Sequence, residues 1–441
     1  MKQQIIEQLL SLSGQGSMPC IDSRDAKPGD IFFALRGEQS DGNLYAEKAL
    51  EAGCALAVVD RADVAKGDKY LLTDDVLGLL QALGHAHRKR FDVPVIGITG
   101  TNGKTTTKEL MQAVLSTTFS STATPGNLNN HIGLPLSLLS FREPMDIAVV
   151  EMGANHRGEI AGLCKLAMPT HGLITNIGKA HLEGFGTVED VARAKAELFE
   201  YLQQNQGTLF VNHDDARLPA LAGTKNIITY GTDDSNHCSG RITRSFPELH
   251  LRFRANCDFG KARQGMQAHI ETRLTGPYNF ENIMAAITTG LYFGVEPEHI
   301  IRGIGSYVPA NNRSQIIRTA NNLVVMDAYN ANPTSMAAAL DNFSRFEGKK
   351  TAVMLGDMLE LGETSGKEHK EILKLAKSKG FGLYVFVGPQ FKSVCPPQGN
   401  TMVFELVEEA ADWLRANPLK SHKVLVKGSR GIAMERLIDH L

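Results

Sequence analysis

GITGTNGKTTTKEL, residues 97 to 110, is the stretch best equipped for chemistry, and it directly follows the apolar run Val93-Pro-Val-Ile96. Read as strand, glycine-rich turn and helix N-terminus, it points the backbone N–H groups of Gly100, Thr101, Asn102, Gly103, Lys104 and Thr105 at an anion, and the helix dipole adds to their field. Lys104 then meets terminal phosphates as a point charge, and the Thr105 hydroxyl is placed to ligate Mg²⁺. The spacing departs from GxxxxGK[ST], because Ile98 holds the first glycine position. It is not GxGxxG either, since the glycines fall at 97, 100 and 103 and a Lys-Thr pair follows. The expected ligand is a nucleoside triphosphate.

A phosphate loop serves kinases, hydrolases and ligases alike, so groups at other strand ends must decide between them. Glu151 directly follows the apolar run 146–150, where a carboxylate reaches a metal beside the phosphates. His181 lies just beyond the run 171–175; a lone histidine is as often structural as ligating, and Mg²⁺ prefers oxygen, so the residues leave both readings open. Lys195, in Ala192-Arg-Ala-Lys-Ala-Glu-Leu-Phe199, reads as a surface lysine of an amphipathic helix.

The elements that must position these groups alternate between strand and helix. Residues 1–90 carry the runs 31–34 and 55–59 with a helical pattern at 46–51, a small α/β domain. Residues 91–312 carry strands near 95–99, 146–150, 171–175 and 207–211, predicting a central parallel-sheet domain of the P-loop ATPase kind. Residues 313–441 repeat the alternation with runs at 323–326, 351–355, 383–387 and 423–426, a Rossmann-like α/β domain ending in a helix over 432–441 that packs behind the last strand. The basic segment His85-Ala-His-Arg-Lys-Arg90 suits a phosphate patch or, preferably, a solvated helix end leading into a linker.

Composition narrows the class. A chain of 441 residues with 42% apolar content supports two or three cores, and a formal net charge of −2 gives no general pull toward nucleic acid or an anionic membrane. Met1–Leu10 lacks the long apolar core of a signal peptide, and no stretch reaches membrane-spanning length. Six cysteines without CxxC spacing read as reduced thiols. A cytoplasmic protein, monomeric by default, is the expectation.

Several motifs act together. GTNGKTT at 100–106, Glu151-Met-Gly-Ala154, Ala180-His-Leu-Glu-Gly-Phe-Gly186, Ala194-Lys-Ala-Glu-Leu-Phe199, Asn279-Phe-Glu-Asn282 and Asp327-Ala-Tyr-Asn-Ala-Asn-Pro-Thr-Ser335 resemble the Mur ligase family of peptidoglycan precursor synthesis over nearly the whole chain. Gly126-Asn-Leu-Asn-Asn130 and Leu355-Gly-Asp-Met-Leu-Glu-Leu-Gly362 turn the resemblance toward the branch that adds D-alanyl-D-alanine to UDP-N-acetylmuramoyl-tripeptide. It implies an ATP-dependent amide ligase working through an acyl phosphate. It implies further that residues 100–106 hold ATP, that Thr105, Glu151 and His181 ligate Mg²⁺, and that Lys195 is carbamylated into a further metal ligand. Lys104, His181, Lys195 and Arg313 become the catalytic set. Asn279 and Asn282 contact adenine, Arg313 the γ-phosphate, and Asp327, Tyr329 and Asn330 the nucleotide from the third domain. Ser23 and Arg24 hold the UDP moiety, Asn127, Asn129 and Asn130 bind substrate, and Lys427 and Arg430 meet a substrate carboxylate. Three positions depart from the family pattern: Gly276-Pro-Tyr-Asn279, Asn311-Asn-Arg313 and Asp41-Gly-Asn43. The loop alone also fits a nucleotide-gated switch or a folate glutamylating ligase.

Overall fold

A computed structural model of the chain describes every residue except Met1, Gln15, Glu38, Gln39, His181, Glu347 and Lys349, and for Lys2 and Leu182 the backbone alone. Three sheets follow one another along it. The first is parallel, with strands β1 (Pro19–Cys20), β2 (Ile31–Phe33), β3 (Leu56–Val59) and β4 (Tyr70–Leu72) in sequential order.

The central sheet has nine strands: β5 (Val95–Thr99), β6 (Ser121–Ala123), β7 (Ile147–Glu151), β8 (His171–Ile174), β9 (Thr208–Asn212), β10 (Ile227–Gly231), β11 (Cys238–Arg244), β12 (His250–Ala255) and β13 (Gln267–Glu271). Their order is β13-β12-β11-β10-β9-β8-β5-β7-β6. Strand β5 lies between β7 and β8, so the chain reverses its direction of winding at β5, and the glycine loop leaves its carboxyl end at that switch point. Both faces of β5 and β7 are buried. Ile96, Ile98, Ile147 and Val149 pack toward the helices Lys104–Leu115 and Phe280–Tyr292, while Val95, Ala148 and Val150 pack toward the helix Val188–Gln204. Double burial is why these strands read as unbroken apolar runs. Strands β11 to β13 form an antiparallel extension that the sequence reading left out. The signal in β12 and β13 was period two: in β12, Leu251, Phe253 and Ala255 are buried and Arg252 and Arg254 exposed.

The third sheet has the order β14-β15-β19-β16-β17-β18, built from β14 (Gln315–Arg318), β15 (Leu323–Asp327), β16 (Thr351–Gly356), β17 (Leu383–Val387), β18 (Thr401–Phe404) and β19 (Lys423–Lys427). Only the pairing of β14 is antiparallel. The chain end packs behind β19, yet as two 3-10 turns, Arg430–Ile432 and Met434–His440, instead of the expected α-helix. Left-handed Ala433 (φ 57°) separates them, and the buried Met434 and Leu437 are three residues apart, the repeat of the tighter helix.

The basic segment 85–90 is a helix end solvated only at Lys89 and Arg90. His87 and Arg88 are buried, and Arg88 donates to the carbonyls of Ala167 (2.9 Å) and Phe91 (2.5 Å), with Val93 and Met168 at 3.4 Å. Ala167 ends the helix Glu159–Ala167, so Arg88 satisfies orphan carbonyls of that terminus and fastens the first domain to the central one.

Candidate active site

The turn after β5 requires its glycines. Gly100 (φ 148°) and Gly103 (φ 81°) occupy conformations that L side chains avoid. A Cβ would fall 1.8 Å from Thr175 Oγ1 at Gly100 and 2.3 Å from Asn282 Oδ1 at Gly103. Neighbours fix the loop from outside: Thr101 N–H donates to the Asn176 carbonyl (2.9 Å), Asn102 N–H to Asn176 Oδ1 (3.0 Å), and Thr175 Oγ1 to the Asn102 carbonyl (2.6 Å). Lys104 Nζ lies across the loop, donating to the carbonyls of Gly100 (2.7 Å) and Thr101 (3.2 Å). Burial lowers its pKa, the Glu151 carboxylate opposes that shift, and the Arg313 cation adds to it.

Glu151 ends β7 with its carboxylate beside the first turn of the helix Lys104–Leu115. Thr105 Oγ1 donates to Oε2 (2.8 Å), Asn129 Nδ2 donates to Oε1 (2.7 Å), and Lys108 Nζ stands 3.8 Å from Oε2. Lys108, which the sequence reading passed over, is 2% exposed and donates to the carbonyls of Thr124 (2.8 Å) and Gly126 (2.9 Å). Lys195 is no surface lysine: it too is 2% exposed, on the buried stripe Val191, Ala194, Lys195, Leu198, Phe199 and Leu202 of its helix. Its Nζ sits 5.9 Å from the centroid of the Phe185 ring. Burial, then the nearby Lys104 cation, hold its amine well below the ordinary lysine range.

Across a cavity of about 850 Å³, the third sheet supplies the opposite wall. The Arg313 guanidinium stacks 3.5 Å over the Tyr329 ring centroid, and its buried Nε has no hydrogen-bond partner among the described residues. Asp327 at the end of β15 accepts from Ser314 N–H (3.0 Å) and from Lys427 Nζ (2.7 Å). Lys427, 2% exposed, also donates to the Asn330 carbonyl (3.1 Å), so it holds the β15 end in place. The two walls touch through Asn332 Nδ2, which donates to Asn102 Oδ1 (2.8 Å). Asn332 caps the helix Pro333–Phe343 and was missed because a capping asparagine looks purely local. Asn279 and Asn282 close the back of the loop; Asn282 Nδ2 donates to Asn279 Oδ1 (2.9 Å) and its Oδ1 accepts from Thr107 (3.0 Å). Thr106, Asn127, Asn129 and Asn130 also line the cavity.

Other expected residues lie elsewhere. Ser23 and Arg24 are on the first domain, outside the lining, and the Arg24 guanidinium grips the Asp22 carboxylate at 2.5 to 3.1 Å with its side chain 81% exposed. Arg430 stands 5.7 Å from the Tyr329 ring centroid without lining the cavity. His181 lies outside the described residues. Among the described residues no cluster of three His, Cys, Asp or Glu side chains forms a metal cage. Thr105 and Glu151 are oxygen donors of the hard kind that Mg²⁺ takes, so this pair fits a nucleotide-borne ion better than a resident one. Missed as well was Glu281, on the same cavity beside Asp214 and Asp215; burial first, then those two carboxylates, push its carboxyl up to about 7.

Three family models tile the chain: the Mur ligase family catalytic domain over residues 18–98, the Mur ligase middle domain over 98–290, and the Mur ligase glutamate ligase domain over 312–430. A UDP-N-acetylmuramoyl-tripeptide–D-alanyl-D-alanine ligase of Bacillus subtilis is 35% identical, covering 95% of this chain and 92% of its own length. Among solved structures, MurF from Acinetobacter baumannii superposes with a TM-score of 0.84 at 31% identity, over 96% of this chain and 92% of that one. MurF ligase from Thermotoga maritima in complex with ADP gives 0.81 at 27% identity, over 96% of both chains. With three domain models in order and a relative this similar along nearly its whole length, the chain belongs to the Mur ligase family.

Proposed function

We propose that this chain is an ATP-dependent amide ligase that joins D-alanyl-D-alanine to UDP-N-acetylmuramoyl-tripeptide, releasing ADP and phosphate. The observation that carries it is one cavity in which a phosphate loop with Lys104, the Thr105–Glu151 oxygen pair and the part-unpartnered Arg313 converge from two domains. The names of relatives matching nearly the full chain support the substrates.

The chemistry follows from those parts. A carboxylate and an amine do not condense in water, so the tripeptide carboxylate attacks the γ-phosphorus and ADP leaves, giving an acyl phosphate. The loop N–H groups, Lys104 and Arg313 stabilise charge on the transferring phosphoryl group. The neutral amine of the dipeptide then attacks the acyl carbon, and phosphate departs as the amide forms. Thr105 and Glu151 would hold Mg²⁺, which supplies charge neutralisation at the β- and γ-phosphates. Lys195 as an amine does not suit that ion. A neutral buried amine, however, is the form that adds CO₂, and the resulting carbamate would offer oxygens; the lowered pKa of Lys195 supports this role. The third domain closes the cavity against water, which would hydrolyse the acyl phosphate. Asn279 and Asn282 take the base end of ATP, Ser23 and Arg24 the UDP moiety, Asn127, Asn129 and Asn130 the peptide, and Lys427 and Arg430 the dipeptide carboxylate. In this reading the ligase works in the cytoplasm as a monomer. Among the described residues no helix is long and apolar enough to cross a membrane.

The test is phosphate release by the purified protein with ATP and Mg²⁺. Release should require both substrates and yield a product heavier by one dipeptide less water; release indifferent to them would leave a bare nucleotide hydrolase.

A further inference from the structure

The loop after β16 carries Leu359 and Glu360 into the cavity wall, and its backbone is not relaxed: Glu360 is left-handed, with φ 63°. A non-glycine residue keeps that conformation only where its surroundings over-determine it. Leu359 N–H donates to Ser429 Oγ (2.9 Å), and the Glu360 carbonyl accepts from Glu183 N–H of the central domain (3.3 Å). Met358 N–H donates to Nε2 of His369 (3.0 Å), a side chain with no exposure on the helix Ser365–Ser378.

The partners of His369 define its state. Met358 N–H can only donate, so Nε2 is an acceptor. Nδ1 lies 2.8 Å from the Ser365 carbonyl, which can only accept, so Nδ1 carries the proton. Asp357 Oδ1, 3.5 Å from Nε2, is an acceptor facing the acceptor nitrogen that Met358 N–H already fills, and the two Asp357 oxygens accept from the N–H groups of Gln390 (2.7 Å) and Phe391 (2.8 Å). The Phe391 ring packs edge-on against the imidazole at 4.7 Å. Burial holds His369 below the ordinary histidine range, in keeping with a neutral ring.

We propose that His369 is a positioning residue: its neutral imidazole, through Met358, fixes the strained loop that presents Leu359 and Glu360 as the wall against which the second substrate is held. The assignment of that substrate as the dipeptide rests on the function proposed above; the loop role does not. Residue 369 touches nothing in the phosphate loop, so its loss separates the two substrates.

The test uses the full chain with H369F, which keeps a ring and removes the acceptor, and H369Q, whose amide oxygen restores one. Hydrogen exchange at the Met358 and Leu359 amides should speed by about tenfold or more in H369F and return toward the native rate in H369Q. The dipeptide KM should rise about tenfold in H369F while the ATP KM stays within about twofold, with H369Q intermediate. If H369F does not fold, S429A removes the acceptor of Leu359 from the other side and should loosen Leu359 and raise the dipeptide KM alone. Unchanged exchange at Met358 and Leu359, or equal rises in both KM values, would overturn the proposal. Should the native chain show no ligation while exchange still responds to H369F and H369Q, the ligase reading falls and the loop role stands.

Discussion

Two helices of the central domain each bury a lysine on their apolar stripe, with opposite consequences. On Lys104–Leu115, the Lys108 ammonium is met by two carbonyls and the Glu151 carboxylate. On Val188–Gln204, Lys195 has the ring of Phe185 as its charge-related contact among the described residues, and a second cation, Lys104, near enough to depress its pKa. A buried charge that is paired on all sides belongs to the fold, while a buried amine with no anion beside it among the described residues costs stability, which fits the chemical role proposed for Lys195. The contrast sets a structural lysine beside one proposed for chemistry.

The largest expected effect tests that separation at Lys195. K195M should lower turnover by about 10²-fold or more, in the range of a lost electrostatic group, and leave thermal stability unchanged or raised because a desolvated amine is gone. A fall in Tm with activity retained would reverse the assignment. K108M should do the opposite first: removing one partner of a buried pair costs about 3 kcal/mol, measurable as a lower denaturant midpoint at constant m-value. Stability equal to the native chain would show that Lys108 is not structural.

How much of this was legible follows the same division. The loop was readable because glycine conformation and the Lys-Thr pair encode phosphate geometry directly, and Glu151 because a carboxylate ending an apolar run has few other uses. Lys108 and Lys195 were not, although both fall at i, i+3, i+4 spacing with buried neighbours; Lys108 was passed over and Lys195 read as a surface lysine, and tertiary neighbours decide otherwise. Asn332 and His369 act through partners more than two hundred residues away or across a loop, which no local pattern contains. The antiparallel strands β12 and β13 carried a plain alternation and were simply unread. The chain end was read as an α-helix, but its buried Met434 and Leu437 are three residues apart, the repeat of the tighter 3-10 turn.

A carboxyl provides the smallest and mirror-image test. Glu281 is largely buried with like charges beside it, opposed by the Asn212 side-chain amide and by the Arg217 cation. Its folded pKa of about 7 lies above the unfolded value, so the folded state binds more protons between the two. Stability from this group is therefore lost as pH rises through that window. Comparing Tm from about pH 5 to about pH 8, the native chain should fall more steeply than E281Q; parallel profiles would remove Glu281 from the set of strained buried charges.

The central claim is that ATP activates a carboxylate, and oxygen bookkeeping tests it most directly. UDP-N-acetylmuramoyl-tripeptide labelled with ¹⁸O in its reacting carboxylate would be turned over with ATP and D-alanyl-D-alanine, and the released phosphate analysed by mass. The account predicts one ¹⁸O carried from carboxylate into phosphate for each amide formed, because that oxygen bridges carbon and phosphorus in the intermediate. Unlabelled phosphate, its fourth oxygen taken from water and all of the label kept in the peptide, would contradict it.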